Sequence, residues 1–236
     1  MAHARVETPA EVGASEVVLD RIAISLRPIG APLSIGLYAL AAATFVLAGL
    51  QLSWVPSTEG KNVALVLLGF AFTGQLLASV LAFLGRDGTV GTAMGVLSLT
   101  WLVTGLILFR SAPGATSDTL GLLLLLSGTV MTLLAATAAM SKLIPGAVFL
   151  VAAIRFFVAG GYELTGLQGW ERTSGILGLL LLALALYAGF AAGLEDATGK
   201  TVLPLGRRGK GKVAMHGSLL EQVNEIPNQP GVRTKL

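Results

Sequence analysis

The sequence predicts an all-α fold, a polytopic bundle of six transmembrane helices, and three observations predict it. Hydrophobic residues make up 54% of the chain and charged residues 12%, where an average globular domain carries about 25% charge; mean hydropathy is +0.79. The apolar residues fall into six charge-poor runs, each long enough for a helix rising about 1.5 Å per residue to cross a hydrocarbon core of roughly 30 Å. Lys and Arg gather on one side of such a bundle, which places both termini in the cytoplasm. The chain then divides into a cytoplasmic N-terminal tail (1–29), a six-helix transmembrane domain (30–206) and a basic, disordered cytoplasmic tail (207–236).

The N-terminal residues are mixed and polar, and no secretory signal pattern is present. Within them, Glu16 to Arg27 is amphipathic enough to lie on a membrane surface or to pack on neighbouring loops. The first span follows Pro28 and Pro32 and holds no charge from Leu33 to Leu50; proline fits at or before a first helical turn and badly deeper inside. Trp54, just past its end, marks the headgroup belt. A second span runs from about Asn62 to Leu84 and stops at the turn Gly85-Arg86-Asp87-Gly88. The third covers about Thr89 to Phe109, closed by Arg110. The fourth is Thr119 to Met140, and Pro145-Gly146 opens a fifth that ends near Gly161. The loop Tyr162 to Thr173 leads to the sixth, Ser174 to about Leu194.

Charge placement fixes the orientation. One side holds Arg5, Arg21, Arg27, Arg86, Lys142, Lys200 and the six basic residues from Arg207 onward; the other holds Lys61, Arg110 and Arg172. The pI near 9.4 therefore reflects membrane flanks and not a nucleic-acid surface. The chain has no cysteine, and its two histidines, His3 and His216, lie in the tails, so neither a metal site nor a cofactor is expected. Gly206-Arg-Arg-Gly-Lys-Gly211-Lys212 imitates the spacing of a phosphate loop, but Val213 stands where Ser or Thr should hold Mg²⁺. A polybasic tail near anionic lipid is the expectation instead. No nucleophile elbow, zinc helix or carboxylate pair occurs in the spans, which argues against an enzyme.

Small residues at Gly91-xxx-Gly95 and Gly189-xxx-Gly193 suit close helix packing. The polar residues at membrane depth are the candidate site residues. Gln75 in the second span, and Ser98, Thr100 and Thr104 in the third, either line a narrow wet pathway or bond back to their own helices. Tyr38 carries a phenol into the first span. Arg155 is the one formal charge well inside a span. It serves an anion beside a pathway, pairs with Glu163 two turns on, or snorkels to the outer surface.

Two stretches resemble the acetate uptake transporter family, which includes bacterial acetate/succinate permeases and fungal acetate transporters. Ala31-Pro32-Leu33-Ser34-Ile35-Gly36 is similar to that family's opening of the first helix, with Ile29-Gly30 where the family has Asn-Pro. Leu186-Tyr187, then Gly199-Lys200-Thr201-Val202-Leu203-Pro204-Leu205-Gly206, follow its ending. The resemblance covers roughly residues 27 to 206. It implies six helices per subunit, each subunit with its own path, assembled as a homo-hexamer. It also implies a hydrophobic gate of three side chains from the first, third and fifth helices. Those positions fall on Tyr38, on Ser98 (Leu97 if the register slips by one) and on Leu150. Gly74-Gln75 is the nearest remnant of the family's second-helix motif, and its late sixth-helix Glu falls on Ala192, one turn from Glu195.

The expectation is a multi-pass protein of the inner or plasma membrane that passes acetate or a similar small monocarboxylate, with a proton or as the neutral acid. Its partners are then that carboxylate, protons, the lipid bilayer and further copies of itself. Two alternatives are a channel for a neutral solute or ammonia, and a membrane scaffold that transports nothing.

Overall fold

The computed structural model describes residues 30–218 and residue 221; the amphipathic stretch Glu16 to Arg27 lies outside them. Among the described residues six helices are long and apolar enough to cross a membrane: α1 (Leu33–Gln51), α2 (Ser57–Leu84), α3 (Gly88–Arg110), α4 (Asp118–Ala139), α5 (Leu143–Thr165) and α6 (Gln168–Thr198). Local chemistry sets their ends. Asp87 caps α3 by accepting from the Val90 N–H at 3.0 Å, and Ser117 caps α4 by accepting from the Leu120 N–H at 3.4 Å. Gly166 and Gly199 close α5 and α6 with φ of +66° and +63°, the left-handed conformation glycine adopts without a Cβ penalty. Helix α2 changes its winding at Leu67–Phe72, where a π turn interrupts the α-helix.

Two helices outrun the apolar segments that predicted them. Helix α5 continues to Thr165, α6 begins at Gln168, and the expected loop from Tyr162 to Thr173 shrinks to Gly166-Leu167. Glu, Gln and Arg are good helix formers, so the helices extend beyond the hydrocarbon-length runs.

Each helix packs on the next in the chain, and α6 packs back on α1, so the six close into a ring. Small residues permit the close approaches. A Cβ at Gly36 would lie 2.6 Å from Met94 Sδ on α3, and one at Gly121 would lie 3.2 Å from the Gly160 carbonyl on α5. The Gly91 and Gly189 positions face Phe83 and Tyr38 of the same chain, so those motifs are filled by packing within the chain. Inside the ring sits an apolar core that includes Leu37, Leu40, Met94, Leu97 and Phe149, all fully buried.

Past α6, the described chain runs on against the bundle. Arg207 pairs with Glu195 through two hydrogen bonds. The Leu143 and Ile144 N–H groups donate to the Gly206 and Leu205 carbonyls at 3.0 and 3.2 Å. Leu205 is buried, and a short helix, α7 (Gly209–His216), follows. The Pro204-Leu205-Gly206 stretch is thus a clasp across the start of α5, with the Tyr187 hydroxyl donating to the Pro204 carbonyl at 3.0 Å.

Candidate functional site

At the face opposite the clasp, the loops before α2, after α3 and after α5 surround a depression of about 470 Å³. Lys61, Glu163, Gln168 and Glu171 are among its lining residues. It narrows through shared walls at Leu47, Gln51, Leu108, Ser111, Ala115, Tyr162 and Glu163. Beneath lies a smaller cavity of about 60 Å³, lined also by Trp101, Thr104, Leu120, Leu124, Arg155 and Phe156. Four helices, α1, α3, α4 and α5, form its wall.

Arg155 belongs to the deep part of this site. It stands 12 residues from Leu143 and 10 from Thr165, about 18 and 15 Å from the two helix ends at 1.5 Å per residue. Only 2% of it is exposed. A guanidinium at that depth needs partners, because hydrocarbon supplies none. Its Nε donates to the Ser174 carbonyl at 3.2 Å, and Nη2 donates to Gln51 Oε1 at 3.2 Å. Its Cζ lies 5.9 Å from the Trp101 ring centroid, a cation–π arrangement worth about 2 kcal/mol when desolvated. Trp101 is held in turn by Phe156, with ring centroids 6.2 Å apart. The side chain reaches toward the depression but stays buried.

The expected Arg155–Glu163 ion pair is not formed. Glu163 accepts instead from the Ser117 N–H at 2.7 Å, tying the end of α5 to the start of α4. The ion pair found among the described residues is Arg207–Glu195, at the other face. A carbonyl, an amide and an aromatic face outbid the carboxylate because they already surround the guanidinium, whereas Glu163 is drawn to an unsatisfied N–H at a helix start.

The remaining candidates separate into three groups. Thr104 lines the small cavity with Arg155. Ser98, Thr100 and Gln75 are buried elsewhere in the ring. Ser98 donates to the Phe72 carbonyl at 3.0 Å, and Thr100 donates to the Val96 carbonyl and meets the Ser127 hydroxyl at 3.0 Å. Gln75 Nε2 donates to the Gly36 carbonyl at 3.3 Å while its Oε1 is buried without a partner. Tyr38 and Leu150, counted from the resemblance as gate positions, are 39% and 46% exposed on the chain's surface. Tyr38 packs its ring over Gly189. Their neighbours Leu37 and Phe149 are fully buried with Leu97. Sequence reasoning missed Gln51 and Trp101.

The fold and site define a class: a six-helix membrane bundle with a polar depression that narrows to a buried cation inside the ring. No family model matches the chain, and no curated protein matches it. Among solved structures the chain is similar to the bacterial acetate channel SatP, with a TM-score of 0.67 at 22% identity. The similarity covers 75% of this chain and 99% of that one. The fold is therefore that of the acetate channel, as the sequence resemblance implied.

Proposed function

We propose that the chain passes a small monocarboxylate such as acetate across a membrane, through the interior of its own bundle. The observation that carries this reading is the buried Arg155, without a carboxylate partner among the described residues, at the bottom of an open depression. The shared fold with an acetate channel supports it independently. The depression faces outward and the clasp faces the cytoplasm, by the Lys/Arg count.

Below the cavity, the fully buried Leu37, Met94, Leu97 and Phe149 close the interior. An apolar constriction of this kind refuses a hydrated anion. A carboxylic acid titrates near pH 4–5, so only about one molecule in a few hundred is neutral at pH 7. The solute therefore collects a proton before the constriction, which makes the movement proton-linked. The gate belongs to Leu37, Leu97 and Phe149, the interior neighbours of the positions counted from the resemblance. By the same resemblance, the chains assemble as a homo-hexamer in the inner or plasma membrane.

The test is uptake of labelled acetate by vesicles holding the purified protein under an imposed inward pH gradient. Uptake above that of empty vesicles, abolished by a protonophore, is the expected result. Folded protein that moves ammonia, followed with an internal pH dye, but not acetate would replace this reading with the neutral-solute one. Movement of neither leaves the scaffold role.

A further inference from the structure

Two hydrogen-bond donors in the small cavity's wall are buried without a partner. Trp101 Nε1, which can only donate, makes no hydrogen bond, and neither does Thr104 Oγ1. They stand three residues apart and so share one face of α3. Thr104 differs from the two other threonines fully buried in the described spans: Thr44 and Thr100 both donate back to carbonyls of their own helices. Arg155, against the Trp101 ring, uses Nε and Nη2, while Nη1 carries no hydrogen bond among the described residues. An arginine with one nitrogen left unbonded and two residues with unpartnered donors thus line one cavity. Buried donors of this kind need an acceptor.

From this geometry we infer that the cavity is a carboxylate subsite closed by Arg155, Trp101 and Thr104, selective for monocarboxylates of two or three carbons over dicarboxylates. The inference rests on the monocarboxylate reading above and names the residues that recognise the solute. One carboxylate offers two oxygens with about four lone-pair positions, enough to accept from all three groups. The cavity volume of about 60 Å³ holds about four to six water-sized groups at 10–15 Å³ each, room for the few heavy atoms of a two- or three-carbon acid. Leu124 and Phe156 supply apolar wall for a methyl or ethyl group. Glu163 lines the same cavity on the side of the depression. A second carboxylate on the solute would meet that charge between low-dielectric walls, where like charges repel strongly.

Magnetic resonance of the full chain labelled with ¹⁵N at its tryptophan indoles tests the subsite directly. Trp54, Trp101 and Trp170 give three N–H signals, and Trp101→Phe assigns one of them. Sodium acetate should shift the Trp101 signal saturably, while sodium chloride at the same ionic strength leaves it in place. Sodium succinate should need at least about tenfold more concentration, and Glu163→Gln should narrow that gap. Arg155→Gln should weaken the acetate response about tenfold or more, and Arg155→Lys less. Thr104→Val keeps the side chain's shape and should weaken it about fivefold; it carries the test should Arg155→Gln fail to fold. A Trp101 signal indifferent to acetate, or moved equally by chloride, overturns the subsite, as does a Thr104→Val protein that titrates like the wild type. If such a protein still takes up acetate in vesicles, the subsite alone falls and the transport reading stands.

Discussion

Substitution of Gly178 tests whether the position of Arg155 matters, because it removes no polar group. A Cβ there would lie 3.0 Å from Arg155 Nε, 3.2 Å from Ala48 Cβ and 3.3 Å from the Thr44 carbonyl oxygen. Helices α1 and α6 are packed together at this level, so the guanidinium is the group free to yield. Its movement breaks the 3.2 Å bond from Nε to the Ser174 carbonyl. Charge-assisted bonds contribute about 1.5–3 kcal/mol, and alanine returns up to about 1 kcal/mol in helix propensity. Gly178→Ala should therefore cost about 1–2 kcal/mol, which for a chain of this size lowers Tm by about 2–8 °C. Acetate uptake should fall with it, since the cavity loses its placed cation. Gly193→Ala on the same helix is the control, as its Cβ would meet only Ser34 Oγ at an ordinary 3.6 Å. Thermal unfolding in detergent and vesicle uptake are read on both proteins. If Gly178→Ala melts and transports like Gly193→Ala, the packing of Arg155 against α6 has no bearing on function.

Three further outcomes are expected. Leu37→Ala or Phe149→Ala should increase acetate leak and cost about 2–5 kcal/mol for the cavity left behind, whereas Tyr38→Ala and Leu150→Ala should change flux less; comparing the four in one uptake assay decides where the gate lies. Arg207→Ala strands Glu195, whose side chain is only 7% exposed, and should cost about 3–5 kcal/mol; limited proteolysis should then release the clasp, and adding Glu195→Gln should restore protection. Burial, and then the charge of Arg207, hold the Lys142 amine below its ordinary value. Between that lowered value and the unfolded one the unfolded chain binds more protons, so stability should rise with pH across this alkaline window; Lys142→Met should flatten the rise in a denaturation series.

The helices were legible because length and apolarity alone determine what crosses a bilayer, and the first four spans fall within a few residues of their expected places. Which side of each helix faces the interior was less legible, for a geometric reason. Successive residues on a helix point about 100° apart, so a one-residue slip in a counted register exchanges the interior for the surface. Soluble helices betray such a slip through a polar face, but Leu37-Tyr38 and Phe149-Leu150 offer none, since each pair is apolar enough for either side. Partial exposure, 39% for Tyr38 against none for Leu37, is what separates them. The clasp was hidden differently: nothing in Pro204-Leu205-Gly206 shows that Leu205 is buried beside the start of α5.

Arg155 shows what local spacing can and cannot supply. Its depth is evident from the sequence, and Glu163, eight residues on, is the carboxylate that spacing along its own helix offers. The groups that hold it come from α1, α3 and α6, as Gln51, Trp101 and the Ser174 carbonyl. None of these is an acid, and a backbone carbonyl leaves no mark in a sequence. One signal was available. Tryptophan belongs near the headgroups, yet Trp101 lies 13 residues into α3 and nine from its end. An indole at that depth needs an acceptor for its N–H or a cation for its face. Here the cation is present and the acceptor is absent. That unmet donor, beside a cation in the wall of the same cavity, is what the inferred carboxylate subsite accounts for.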